Sequence, residues 1–266
     1  MLIKDINIET IRKPKQIVKA LMGSLSQNVS KEIYRNSKEL YQIGEASLTP
    51  LIEAVLPHDW SKIDNKGQMR LLTGIVALIN DINEEACQKT AQAIIEKGCT
   101  RAVKLCLNSI TSFTLNDYTL HIEHDVKIYI FNELDDIKFI KEKLVEWLSF
   151  VPNKDLKHID RIYLIPYNEE YTYSGTYTPI LSYIRVVWEK EYADSLLFKW
   201  MDLARTKHTL YHEIGHHYHR HTFGQKPEQE KEADEYASNL MRKAHPNIAK
   251  IAKILKYLSL RKKQVN

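Results

Sequence analysis

Thr209-Leu210-Tyr211-His212-Glu213-Ile214-Gly215-His216 sets two histidines four residues apart with a glutamate directly after the first. Four residues turn a helix through about 400°, so His212 and His216 fall within roughly 40° of each other and about 6 Å apart along the axis. Two imidazoles placed this way can hold one ion, and His-Glu-x-x-His on a helix is the spacing of a zinc site. Glu213 is rotated about 100° from His212, too far round to share the ion but near enough to act as general base on a water beside it. Leu210, Ile214, Gly215 and Tyr218 add no charge and no proline, so a helix can run through the motif. The plain alternative makes His212 and His216 ordinary helix histidines and leaves Glu213 at the surface.

A catalytic zinc site takes three protein ligands, whereas a structural one is closed by four. The candidates for the third lie in Glu230-Lys231-Glu232-Ala233-Asp234-Glu235-Tyr236-Ala237. Gly224 reads as a helix stop and Pro227 as the opening of a second helix. In that helix Ala233, Tyr236, Ala237, Leu240 and Met241 share one apolar face. Glu230 lies roughly 50° from the centre of this face and Glu232 roughly 110°, which makes Glu230 the third ligand and Glu232 a solvated acid. Asp234 follows Glu230 on the same row, where it can accept the second ring N–H of a ligating histidine. His208, His217, His219 and His221 crowd the same region without completing a ligand set, and read as a wet, partly exposed face.

The pattern His-Glu-x-x-His-x-x-Gly-x-x-His would need glycine at His219 and histidine at Thr222, so a nearby third histidine is not expected. Residues 205–216 followed by Glu230-x-Glu232-Ala233-Asp234-x-Tyr236-Ala237 resemble the gluzincin metallopeptidases, above all the ImmA/IrrE branch and the minimal gluzincins. The Glu-x-x-Ala-Asp piece is also similar to HtpX-type proteases. The resemblance spans roughly residues 120–242. It implies a zinc-dependent endopeptidase with His212, His216 and Glu230 as ligands and Glu213 as base. The helix-turn-helix of many ImmA/IrrE proteins and the membrane spans of the HtpX group are both missing, so neither group's biological role carries over.

These residues must be positioned by the rest of a 266-residue chain that is 44% hydrophobic, enough to bury a proper core. Residues 1–115 read as successive helices. Gly44 ends one and Pro50 opens the next after Thr49, then Asp64–Asp81, Asn83–Lys97 and Thr100–Phe113 continue the alternation. The spacing of roughly 35–45 residues per helix pair suits a helical solenoid. Ile43-Gly44-Glu45-Ala46-Ser47-Leu48-Thr49-Pro50-Leu51-Ile52 resembles HEAT repeats, which implies a surface for a protein partner. The alternative is a plain helical domain packed against the enzyme.

Composition shifts near Asn116 and Asp117. Strands are expected at Lys127–Phe131, His158–Pro166 and Tyr183–Trp188, with a helix over Asp135–Phe150 and a Ser-Gly turn inside Tyr171–Tyr177. Ser182–Trp188 is expected to form the edge strand along the cleft, where an extended substrate can add by main-chain hydrogen bonds. Tyr171, Tyr173, Tyr177 and Tyr183 are candidate donors to an oxyanion. Asn247–Lys263 has helical periodicity and ends in Arg261-Lys262-Lys263, a packing element or an inhibitory tail over the cleft.

The class expected is therefore α+β, with an all-α helical-repeat domain at 1–115 and a small zincin-like domain at 116–266. Cys87, Cys99 and Cys106 have no metal-type spacing and suit a reducing compartment. No signal peptide or membrane span is legible, so the expected location is cytoplasmic. A net charge of +4 is too mild to argue for nucleic acid. The expected activity is zinc-dependent hydrolysis of a peptide or protein. The competing class is a regulatory or protein-binding module whose zinc site serves structure or sensing.

Overall fold

The computed structural model describes residues 12–63, 66–111, 114–167, 173–188, 196–223 and 226–246, with the backbone alone for 196–198. The chain has mixed α and β structure and divides into two compact units, Met1–Leu115 and Asn116–Asn266.

The first unit is helical throughout its described residues. Pro14 opens α1 (Pro14–Gln27), where its missing N–H breaks no helical bond, and Asn28 closes it in the left-handed conformation. Helix α2 (Ser30–Ile43) ends at Gly44, and a single 3-10 turn leads into α3 (Leu48–Val55). Next come α4 (Lys66–Ile82), α5 (Glu84–Lys97) and α6 (Arg101–Thr111). The side chain of Asn83 accepts the Ala86 N–H at 2.8 Å and so caps α5. Helix α4 packs against α1, α3, α5 and α6. That central position explains why Gly74 to Ile79 are all buried, whereas an amphipathic surface helix would bury only one stripe. Cys87 is buried and Cys99 and Cys106 partly so; all three are free thiols. Burial pushes the Cys87 thiol up to about 12, which leaves it unreactive.

The second unit is built on a five-stranded sheet in the order β1-β2-β3-β5-β4. Strands β1 (Tyr118–Glu123) and β2 (Val126–Phe131) form a hairpin through His124 and Asp125, both at positive φ. Asp136 then caps α7 (Ile137–Leu148) by accepting the Phe139 N–H at 3.0 Å. A short α8 (Asn153–Leu156) leads to β3 (Arg161–Pro166), which pairs parallel to β2. Strand β4 (Gly175–Thr178) pairs antiparallel to β5 (Tyr183–Trp188), and β5 pairs parallel to β3. Two long helices follow, α9 (Leu196–Tyr218) and α10 (Pro227–Ala244).

Alternate residues of the central strands point into one core: Ile128 and Ile130, Ile162 and Leu164, Ile184 and Val186. Against them pack Leu144, Trp147 and Leu148 of α7, Leu210, Tyr211 and Ile214 of α9, and Ala237 and Leu240 of α10. Tyr211 is fully buried and donates its hydroxyl to the Trp147 carbonyl at 2.8 Å, which fixes α9 against the end of α7.

Three expectations are corrected. Strand β5 is not the edge strand: it lies between β3 and β4, and β4 is outermost. The cause is a turn over residues 179–182, with Leu181 and Ser182 at positive φ, that folds β4 onto the outside of β5. Gly175, expected within a turn, instead begins β4, while Tyr171 and Thr172 on the other side of that expected turn lie outside the described residues. Helix α9, expected to run on towards Gly224, ends at Tyr218, with Arg220 at φ 55; Gly224 itself lies outside the described residues. The expected C-terminal helix over 247–263 also lies outside them. No helix among the described residues is long and apolar enough to cross a membrane.

Candidate metal centre

His212, Glu213 and His216 stand on the last two turns of α9, and Glu230 and Asp234 on the first two turns of α10. The two helices can approach closely because Gly215 faces α10. A Cβ there would sit 3.0 Å from the Ala233 Cα and 3.1 Å from its carbonyl oxygen. Ala233 is itself the smallest side chain available on that face. From below, Tyr236 of α10 donates its hydroxyl to Asp155 Oδ2 at 2.8 Å, tying α10 to α8.

This packing brings three donor atoms together. His212 Nε2 and His216 Nε2 are 2.9 Å apart, and Glu230 Oε2 lies 3.3 Å from the first and 3.7 Å from the second. A tetrahedral zinc ion with bonds of about 2.0–2.1 Å separates its ligand atoms by about 3.3 Å, so the three donors already occupy one face of such a tetrahedron. The chemistry of the donors fits as well. Burial, reinforced by His212 and His221, pushes His216 down to about 3, so its imidazole is neutral and its lone pair is available to a cation. Two histidines and one glutamate match the ligand type of catalytic zinc sites.

Each histidine turns its other nitrogen to a second partner. His212 Nδ1 lies 2.8 Å from Asp234 Oδ1, where the sequence phasing expects Asp234. His216 Nδ1 lies 2.7 Å from His221 Nδ1, and His221 Nε2 lies 2.9 Å from Glu232 Oε2. His221 is therefore no part of a wet face: it is 4% exposed. Burial is the main cause that lowers its pKa, opposed by the hydrogen bond to Glu232. Glu232 is exposed, as expected, yet it is held to the site through this bond. His219 is exposed and stacks on His221, and with Glu232 these two form a second cluster of ligand-type atoms. His208 is half-buried beside His212, and His217 bonds the Lys157 carbonyl at 3.0 Å.

Glu213 is 6% exposed. Burial first, then the charge of Glu230, pushes its carboxyl up to about 8. A cation at the three donors would oppose that shift and favour the carboxylate. The strand β4 runs directly past this group: a Cβ on Gly175 would sit 2.8 Å from Glu213 Oε1 and 2.6 Å from Thr209 Cγ2. Tyr177 is half-buried, 3.4 Å from Ser182 Oγ through its hydroxyl, with its ring edge-on to His217. Tyr183 stacks edge-on to Tyr163, a packing role within the sheet.

No protein-family model matches the chain, and no curated protein or solved structure matches it.

Proposed function

We propose that this chain is a zinc-dependent endopeptidase of the gluzincin type, with His212, His216 and Glu230 as ligands, Glu213 as general base and Asp234 orienting His212. The observation that supports the reading is the pairing of three converging donors, His212, His216 and Glu230, with the Glu213 carboxyl buried at the position after His212 on the same helix. A purely structural zinc site has no use for such a group.

Zinc, when bound, supplies Lewis acidity that polarises a scissile carbonyl and acidifies a water. Glu213 takes the proton of the attacking water at its carboxylate and delivers it to the departing amine nitrogen. Its burial keeps bulk water away and raises its affinity for a proton, while a cation at the three donors would pull the other way and keep it a carboxylate before the transfer. Asp234 and the histidine ring nitrogen beside it keep His212 in the tautomer whose Nε2 faces the other donors. The outer edge of β4 takes the place expected of β5: its main chain can pair with an extended peptide, which then passes the site beside Gly175. The helical hairpins of the first unit, HEAT-like in sequence, serve as a surface for a protein partner or substrate.

The test is zinc content and cleavage of an unfolded protein substrate by the wild type and Glu213→Gln. The wild type should bind one zinc per chain and cleave, and Glu213→Gln should keep the metal and lose activity by about 100-fold or more. Equal cleavage by both proteins would overturn the peptidase reading; a zinc-loaded wild type that cleaves nothing would favour a regulatory or sensing site.

A further inference from the structure

The end of α9 is closed by two hydrogen bonds of the Schellman type. The His221 N–H reaches the His216 carbonyl at 3.0 Å, and the Arg220 N–H reaches the His217 carbonyl at 3.0 Å, with Arg220 left-handed between them. In that turn the residue after the left-handed one folds back onto the residue five positions earlier, and the two side chains usually make an apolar contact. Here the two side chains are His216 and His221, and the contact is a hydrogen bond between their Nδ1 atoms.

From this geometry we infer that His221 and Glu232 are positioning residues for the metal ligand His216, linked in one chain from the metal site to the surface. The inference rests on the zinc reading above. A ligand that presents the lone pair of Nε2 carries its proton on Nδ1, so His216 donates and His221 Nδ1 accepts. Neutral His221 then carries its proton on Nε2 and donates to the Glu232 carboxylate. Every proton in the chain has a fixed place, and the negative end at Glu232 makes His216 a better donor to the metal. The arrangement is the counterpart of Asp234 on His212, extended by one histidine because Glu232 alone stands too far round the helix.

The same proton count separates this role from a second metal at His219, His221 and Glu232. An ion there needs the lone pair of His221 Nε2, which moves the His221 proton to Nδ1. Two N–H groups would then face each other across 2.7 Å unless His216 lost its own proton. The two clusters therefore compete, and with the first one filled the second acts as its support.

The experiment titrates zinc against a chromophoric chelator in full-length wild type, His221→Leu, His221→Asn, Glu232→Ala, His219→Ala, the double variant His221→Leu/Glu232→Ala, and His216→Ala. His221→Leu keeps the bulk and removes the acceptor, so the zinc Kd should rise about 10- to 100-fold. His221→Asn restores an acceptor oxygen near the position of Nδ1 and should recover most of the loss, a rescue that a packing role would not give. Glu232→Ala, at an exposed position that does not threaten folding, should weaken zinc by a smaller factor in the wild type and by nothing further in the His221→Leu background. His219→Ala should bind as the wild type does. Unchanged affinity in Glu232→Ala and His221→Leu, or losses that simply add in the double variant, would overturn the inference. So would a second equivalent of zinc that disappears in His219→Ala. If His216→Ala also left zinc binding intact, the zinc reading itself would fall, whereas an empty His216→Ala beside a full His221→Leu would sink the positioning role alone.

Discussion

Gly175 on β4 lies against Glu213 on α9 so closely that a methyl group at Gly175 would meet Glu213 Oε1 at 2.8 Å and Cγ at 2.9 Å. Glycine at this point is a steric requirement, since the strand passes the Glu213 carboxyl at main-chain distance. Gly175→Ala forces either the strand or the carboxylate to move. Misplacing a catalytic group by about 1 Å can cost 100-fold in rate. The variant should therefore bind zinc like the wild type while kcat/KM falls by about that factor, and parallel zinc titration and peptide cleavage check both halves. Activity within a few-fold of wild type would show that Glu213 is not held by this contact.

The two acids of α10 that face the histidines should separate cleanly. Glu230 offers its oxygen directly to the donor triad, whereas Asp234 reaches only the outer nitrogen of His212. Glu230→Ala should leave zinc bound too weakly to survive gel filtration. Asp234→Ala should retain it with affinity lower by about 10- to 100-fold. Metal analysis after desalting distinguishes the two, and equal retention in both variants would remove Glu230 from the ligand set.

The convergence of His212, His216 and Glu230, with Glu213 beside them, was legible because helical spacing fixes it. His212 and His216 share a face, and the same arithmetic puts Glu230 and Asp234 on the side of α10 that meets them. Most helices of the first unit were legible too, since Gly44, Asn83 and Gly98 mark their ends by the backbone angles and caps they supply. His221 was missed because the signal for its position lies in a helix end without glycine. Arg220 takes the left-handed conformation that Gly224 seemed made for, so the helix stops earlier and His221 returns to His216. Strand β1 was overlooked although Tyr118, Leu120 and Ile122 alternate with polar residues; the stretch is short, and Leu120 and Ile122 remain exposed. The place of β4 outside β5 depends on two positive-φ residues, Leu181 and Ser182, whose types do not announce them.

Gly215 sets two effects against each other. Alanine is the better helix former by about 1 kcal/mol in an open helix. Its methyl group would press on the Ala233 backbone at 3.0 Å and on Tyr236 Cβ at 3.2 Å, so α10 must yield by a few tenths of an ångström. The gain and the strain act on different quantities. Gly215→Ala should change thermal stability little, because they offset, yet it should weaken zinc because Glu230 rides on the displaced helix. Circular dichroism melting beside a zinc titration reads the two separately, and unchanged affinity would mean that α10 absorbs the methyl group without moving Glu230.

Lys207 is the one prediction that depends on pH and not on zinc. It is buried in α9, with its ammonium 4.9 Å from the Phe150 ring centre, 3.3 Å from His245 Nε2 and 3.9 Å from Glu146. Burial lowers its pKa and outweighs the opposing pull of Glu146. The unfolded chain keeps an ordinary lysine near 10.4, so the folded state carries a desolvation cost for as long as its ammonium stays protonated. As pH rises past the lowered folded value toward about 10, the folded state gives up its proton first and stability increases. Lys207→Met keeps the length and the ring contacts without the charge. It should be more stable than the wild type by about 1 kcal/mol or more at neutral pH, with the difference narrowing at alkaline pH. Urea unfolding of the chelated protein across that range measures it. A methionine variant that is less stable at neutral pH would show that the aromatic rings and Glu146 together outweigh the burial of the ammonium.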